Sequence, residues 1–126
     1  MNLHDSNIKL TGMRVVVCAL VSARVNEPEA LLDAMARELE RAGAVVVGRM
    51  LQRRGVSRSR RPGGAAKMDQ PMGRGLFSDG KVDELAALMR ASEASLLIVH
   101  NAITSGQRRV LTAATGCDVY SLPTAV

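Results

Sequence analysis

Aromatic residues are nearly missing from this sequence: one phenylalanine (Phe77), one tyrosine (Tyr120) and no tryptophan in 126 residues. Proteins that hold single-stranded nucleic acid stack its bases on several aromatic rings, so the composition argues strongly against a recognition-motif or OB-type surface. The core has to be assembled from Val, Leu, Ile, Met and Ala. Cysteine is scarce as well. Cys18 and Cys117 sit in apolar runs without metal-ligand spacing, which reads as two buried free thiols in a reducing compartment. His4 and His100 are too far apart in sequence to indicate a metal site on their own. No stretch reaches the roughly 18 apolar residues of a membrane span, so no membrane partner is expected. The apolar run 15–21 follows Arg14 and leads into Val21-Ser22-Ala23, a sequence like a signal-peptidase site. It is short for a leader, however, and Asp5 stands where a leader is positive. The expectation is a cytoplasmic protein.

What the chain does have is charge gathered in one place. Arg49, Arg53, Arg54, Arg58, Arg60, Arg61, Lys67 and Arg74 face a single acid, Asp69, giving that stretch +7 of a total of +5. The remaining residues are therefore slightly acidic. Residues 55–75 also hold Pro62, Pro71 and several glycines and show no periodicity, so they read as a long basic loop. Loops of about twenty residues inside small domains usually carry function or are disordered. A local positive field of this kind suits a polyanion, with a merely solubilising loop as the plain alternative.

Around that loop, strand and helix signals alternate. Residues 13–20 (MRVVVCAL) form a continuous apolar run, as in a strand buried on both faces. Asn26 is the expected cap of a first helix, with Pro28 in its first turn, Leu31, Leu32, Met35, Leu39 and Ala42 along one face, and Gly43 as its stop. Residues 44–52 read as the second strand and Leu76-Phe77-Ser78 as a short one. Ser78 or Asp79 should cap a second helix with Val82, Leu85, Leu88 and Met89 inward; residues 95–100 follow as a buried strand. Thr104 or Ser105 should cap a third helix that Gly116 ends, before a last strand at 117–121. The fold class is thus α/β: a mostly parallel sheet of four to five strands flanked by helices, with the basic loop inserted. Residues 1–12 read as a flexible leading segment and 13–126 as one domain.

Three motifs bear on chemistry. Gly75 to Val82 nearly spells a P-loop, but Val82 stands where a Ser or Thr must offer a hydroxyl to Mg²⁺. A weaker anion site remains conceivable at Ser78, Gly80 and Lys81, where a helix opens beside a lysine. Arg108 and Arg109 face outward if Val110 and Leu111 are core, and would add phosphate contacts to those of the loop. No nucleophile–base pair and no convincing carboxylate pair is present, so the chain reads as a non-enzyme without a cofactor.

Taken in order, several segments resemble the N-terminal domain of the HflX family of ribosome-associated GTPases. They are Glu29-Ala30-Leu31-Leu32 with its helix, residues 42–48 (AGAVVVG), Gln52-Arg53-Arg54, residues 77–85 (FSDGKVDEL) and residues 103–111 (ITSGQRRVL). The likeness covers roughly residues 13–121. Ser78 replaces the family's first glycine in a glycine-x-glycine-lysine turn, and Tyr120-Ser121 replaces an aspartate-arginine. The family's helical hairpin, Walker A and guanine-specificity motifs have no counterpart in these residues. The resemblance implies contact with the large ribosomal subunit, near ribosomal RNA, and a weak association with adenine nucleotide.

The leading expectation is therefore a non-catalytic domain that binds ribosomal RNA through Arg49, Arg53, Arg54, Arg58, Arg60, Arg61, Lys67, Arg74, Arg108 and Arg109. A separate GTPase is its expected partner. The alternatives are a nucleotide-binding domain centred on Ser78, Gly80 and Lys81, and a self-associating regulatory fragment that forms a homo-oligomer.

Overall fold

A computed structural model of the chain describes residues 10–22, 24, 26–53 and 73–122. Its elements alternate as anticipated: β1 (Arg14–Val21), α1 (Pro28–Arg41), β2 (Val45–Arg53), α2 (Asp79–Ala91), β3 (Leu96–Val99), α3 (Ser105–Thr115) and β4 (Asp118–Ser121). The strands form one parallel sheet in the order β2-β1-β3-β4. From β1 the chain crosses to one side for β2, then returns past β1 to lay down β3 and β4. Right-handed crossovers then put α1 on one face of the sheet and α2 with α3 on the other.

Central β1 shows the logic most plainly. Val15, Val17, Ala19 and Val21 pack with Leu32, Met35 and Leu39 of α1. Val16, Cys18 and Leu20 pack with Val82, Leu85 and Met89 of α2 and Leu111 of α3. A strand covered on both faces needs no polar alternation, which is why its sequence is a single apolar run. Each such side chain withdrawn from water contributes about 1.5–3 kcal/mol. Phe77 is fully buried in the α2–α3 layer, so the chain's only phenylalanine is a core residue and not a stacking platform.

The helix ends follow their local chemistry with one exception. Ser78 caps α2, and Thr104 caps α3 in a reciprocal pair with Gln107. The cap of α1 is Glu27, not Asn26, and no side chain serves it. Pro28 explains the difference: it has no N–H to satisfy, and it disfavours right-handed helical backbone in the residue before it. Glu27 accordingly sits at φ 51°. Gly43, at φ 97°, turns the chain from α1 into β2, where a side chain would be strained.

Two further expectations meet a different outcome. Leu76-Phe77-Ser78 does not add a strand to the sheet; residues 73–77 make only isolated antiparallel bridges, Gly73 to Leu76 and Gly75 to Phe77. A turn closed by Leu76 N–H to Gly73 C=O (3.1 Å) bends the segment back before it can run alongside a neighbour. Cys18 is buried, whereas Cys117 is half-buried and donates weakly to the carbonyls of Ala94 and Thr115. Leu10 is buried ahead of the first strand, and Gly12 N–H reaches Gly43 C=O at 2.8 Å. Of the long basic loop expected over residues 55–75, residues 55–72 lie outside the described residues.

Candidate nucleic-acid interface at the carboxyl edge

In a parallel sheet all strands point the same way, so the segments after β1, β2 and β3 gather along one edge. Ligands of such sheets sit there, beside the strand at which connections leave in opposite directions. That strand is β1. Its end is already filled from within: Asn101 accepts from Leu20 N–H and donates to Leu20 C=O, both at 2.9 Å. His100 N–H donates to Cys18 C=O at 2.8 Å. The ring nitrogen Nδ1 of His100 is buried without a hydrogen-bond partner among the described residues, and burial holds its pKa below the ordinary 6.5. The imidazole is therefore neutral at pH 7.

A second fastening joins the end of β2 to the start of α2. Gln52 is a buried polar residue at the end of a largely apolar strand, and such a group must find partners. Its Nε2 donates to Ser78 Oγ and its Oε1 accepts from Ser78 N–H, each at 2.9 Å. Ser78 Oγ also accepts from Lys81 N–H at 3.3 Å. The end of β2 and the start of α2 are thus pinned to each other at one point. Phe77 and Leu76 anchor the segment before Ser78 in the core. Gly75 lies against α3 so closely that a Cβ would come within 2.9 Å of Val110.

The basic residues singled out in the sequence divide into three groups. Arg53, Arg74, Arg108 and Arg109 are exposed and lie on this edge, at the end of β2, in the returning turn and near the start of α3. Arg24, in the segment after β1, joins them. Arg49 does not: it sits mid-strand on the α1 face and pairs with Asp33 at 2.8 Å. Arg54, Arg58, Arg60, Arg61 and Lys67 lie outside the described residues.

Of the three residues of the anion-site alternative, Ser78 and Lys81 already have partners. Ser78 is held by Gln52, Lys81 N–H by Ser78, and Lys81 Nζ by Glu84 at 2.8 Å. Leu76, at φ 77°, and Phe77 fill the stretch whose backbone would have to wrap a phosphate. Among the described residues no three His, Cys, Asp or Glu side chains converge as metal ligands, and no helix is long and apolar enough to cross a membrane.

Sequence reading named Gln52 only as part of a pattern and passed over Asn101. Both lie at strand ends where a side-chain amide can satisfy backbone or cap, but their partners are 26 and 81 residues away. A lone glutamine near the end of a largely apolar strand was the available signal.

Among known families, the model described as GTP-binding GTPase N-terminal matches residues 27–122, most of the chain. No curated protein matches it.

Proposed function

Since the chain belongs to the GTP-binding GTPase N-terminal family, the N-terminal domain of HflX-type GTPases, we propose that it is the RNA-docking part of a GTPase system. Its target is the ribosomal RNA of the large subunit. The GTPase activity belongs to another module, since the sequence nearest to a P-loop has Val82 in the metal-binding position. The observation that carries this reading is where the charge emerges. The described residues that flank the basic stretch, Arg53 and Arg74, lie at the carboxyl edge of the sheet, the same edge as Arg108 and Arg109. Without exposed aromatic stacking platforms, affinity comes from phosphate contacts, and these weaken steeply with salt as counterions are released.

Co-sedimentation with large ribosomal subunits at low and at moderate salt tests the proposal. Wild type should pellet at low salt and release as salt rises. A variant with Arg53, Arg54, Arg58, Arg60 and Arg61 changed to Ala should pellet weakly and with a shallower salt dependence. Equal pelleting of the two proteins sinks the reading. The nucleotide alternative predicts saturable ATP binding that Lys81→Ala abolishes; it has less support, because Glu84 already neutralises that lysine.

A further inference from the structure

The three helices are charged in different ways. α1 and α2 follow the helix dipole, with Glu29 and Asp79 in their first turns and Arg41 and Arg90 in their last. α3 reverses the rule: it contains no acidic residue, has no cation in its last turn, and carries Arg108 and Arg109 in its N-terminal half. Two positive charges toward the end where the dipole is itself positive do not help the helix. The end is closed by the reciprocal Thr104–Gln107 cap, which leaves the outward face, rather than the tip, to account for the charge.

That face is built by spacing. Ser105, Arg108, Arg109 and Thr112 stand at helical neighbour positions, so they form one stripe; all four are exposed, while Leu111 and Thr115 are buried on the other side. Among the described residues the two arginines form no ion pair and the Ser105 hydroxyl makes no hydrogen bond. Gly75 lies against Val110 of α3, so exposed Arg74, the residue before it, adds a third cation beside the stripe. The chain's two aromatic side chains are elsewhere. Phe77 is in the core, and half-buried Tyr120 packs in the α1 layer, on the opposite side of the sheet.

Unstacked bases of a single strand are held on aromatic faces, which this surface lacks. A double helix keeps its bases stacked and offers phosphates and, in RNA, 2′-hydroxyls across a wide, shallow minor groove. We propose, on the basis of the RNA-docking reading above, that the outward face of α3 is a site for double-helical RNA. Arg74, Arg108 and Arg109 lie on phosphate oxygens, and Ser105 Oγ is hydrogen-bonded to a ribose 2′-hydroxyl. Phosphate contacts position the duplex without reading its sequence, and the hydroxyl distinguishes RNA from DNA.

The probes are fluorescein-labelled RNA duplexes of about 16 base pairs, the span of known shape-reading domains, titrated with the full chain by anisotropy at several salt concentrations. Two duplexes of unrelated sequence should bind alike, and their single strands more weakly. A 2′-fluoro duplex keeps the A-form without the hydroxyl and should bind about fivefold more weakly, the worth of one hydrogen bond. Ser105→Ala should lose that difference at an unchanged salt slope. Arg108→Ala and Arg109→Ala should each lower the slope of log affinity against log salt by about one, whatever the sequence. Arg37→Ala, exposed on α1, should leave it unchanged. Absent duplex binding overturns the proposal, as do single strands bound as well as duplexes, equal affinity for the ribose and 2′-fluoro duplexes, or an unchanged slope in the Arg108/Arg109 double variant. Any of these results can coexist with wild type that pellets with large subunits and releases with salt, in which case the RNA-docking reading stands and the duplex site falls. Loss of that pelleting as well removes both.

Discussion

The two edges of the sheet are built differently. At the amino edge the helices return to strands through short turns at 42–44, 92–95 and 116–117, closed chiefly by backbone hydrogen bonds such as Gly12 to Gly43 and Ser95 to Arg14. The one long-range side-chain tie with strong geometry is Arg14, whose guanidinium reaches Ser92 C=O at 2.7 Å. At the carboxyl edge the connections are longer, and side-chain amides fasten them: Asn101 on Leu20, Gln52 on Ser78. The amino edge closes the fold. At the carboxyl edge the described ends of those connections are instead held in place by side chains, the kind of fixed scaffold on which functional loops are commonly mounted.

That contrast can be broken experimentally, and the largest effect should come from the anchor of the returning segment. Phe77→Ala should cost about 3–5 kcal/mol in urea unfolding, the range for emptying a buried aromatic site. A cost below about 1 kcal/mol would mean that residues 73–77 are not held by the core. Next come the two ties compared directly. Gln52→Ala leaves the Ser78 amide without its acceptor and should cost about 1–3 kcal/mol, while exposed Arg14→Ala should cost about 1 kcal/mol or less. Only the glutamine change should alter retention on large subunits in sedimentation. If both variants pellet like wild type, the edges do not differ in function.

The smallest effect concerns His100. Its pKa is lower in the folded chain than in the unfolded one because burial disfavours the charged ring. The unfolded state therefore binds more protons, and folding stability is complete above pH 6.5 and falls as pH drops through and below it. Urea midpoints taken at pH 7.5 and pH 5.5 should fall further for wild type than for His100→Asn. Identical falls would show that the ring is not shielded.

The sequence revealed the elements better than their fastenings. β1 and β3 were legible because strands covered on both faces are continuous apolar runs, and α3 because a capping residue at Thr104 opens it and Gly116 ends it. Leu76-Phe77-Ser78 misled because apolar residues beside a turn look like a strand, while the left-handed backbone at Leu76 leaves no mark in residue type. Asn26 misled because a good capping residue was outweighed by the proline two positions on. The basic residues were visible as charge, but the commitment of Arg49 to Asp33 depends on which face of β2 meets α1, and that follows from strand pairing and a bulge.

The Gln52–Ser78 clasp also bears on how this chain can change over generations. Gln52 and Ser78 are fastened directly to each other, so the two ends of the described body on either side of that sequence interval are held together by the body's own side chains. Closure entropy grows by only about 0.6 kcal/mol for each doubling of chain length between two such joined points. A change in the number of residues between Gln52 and Ser78 should therefore cost the folded body little, which length variants compared in urea unfolding would check.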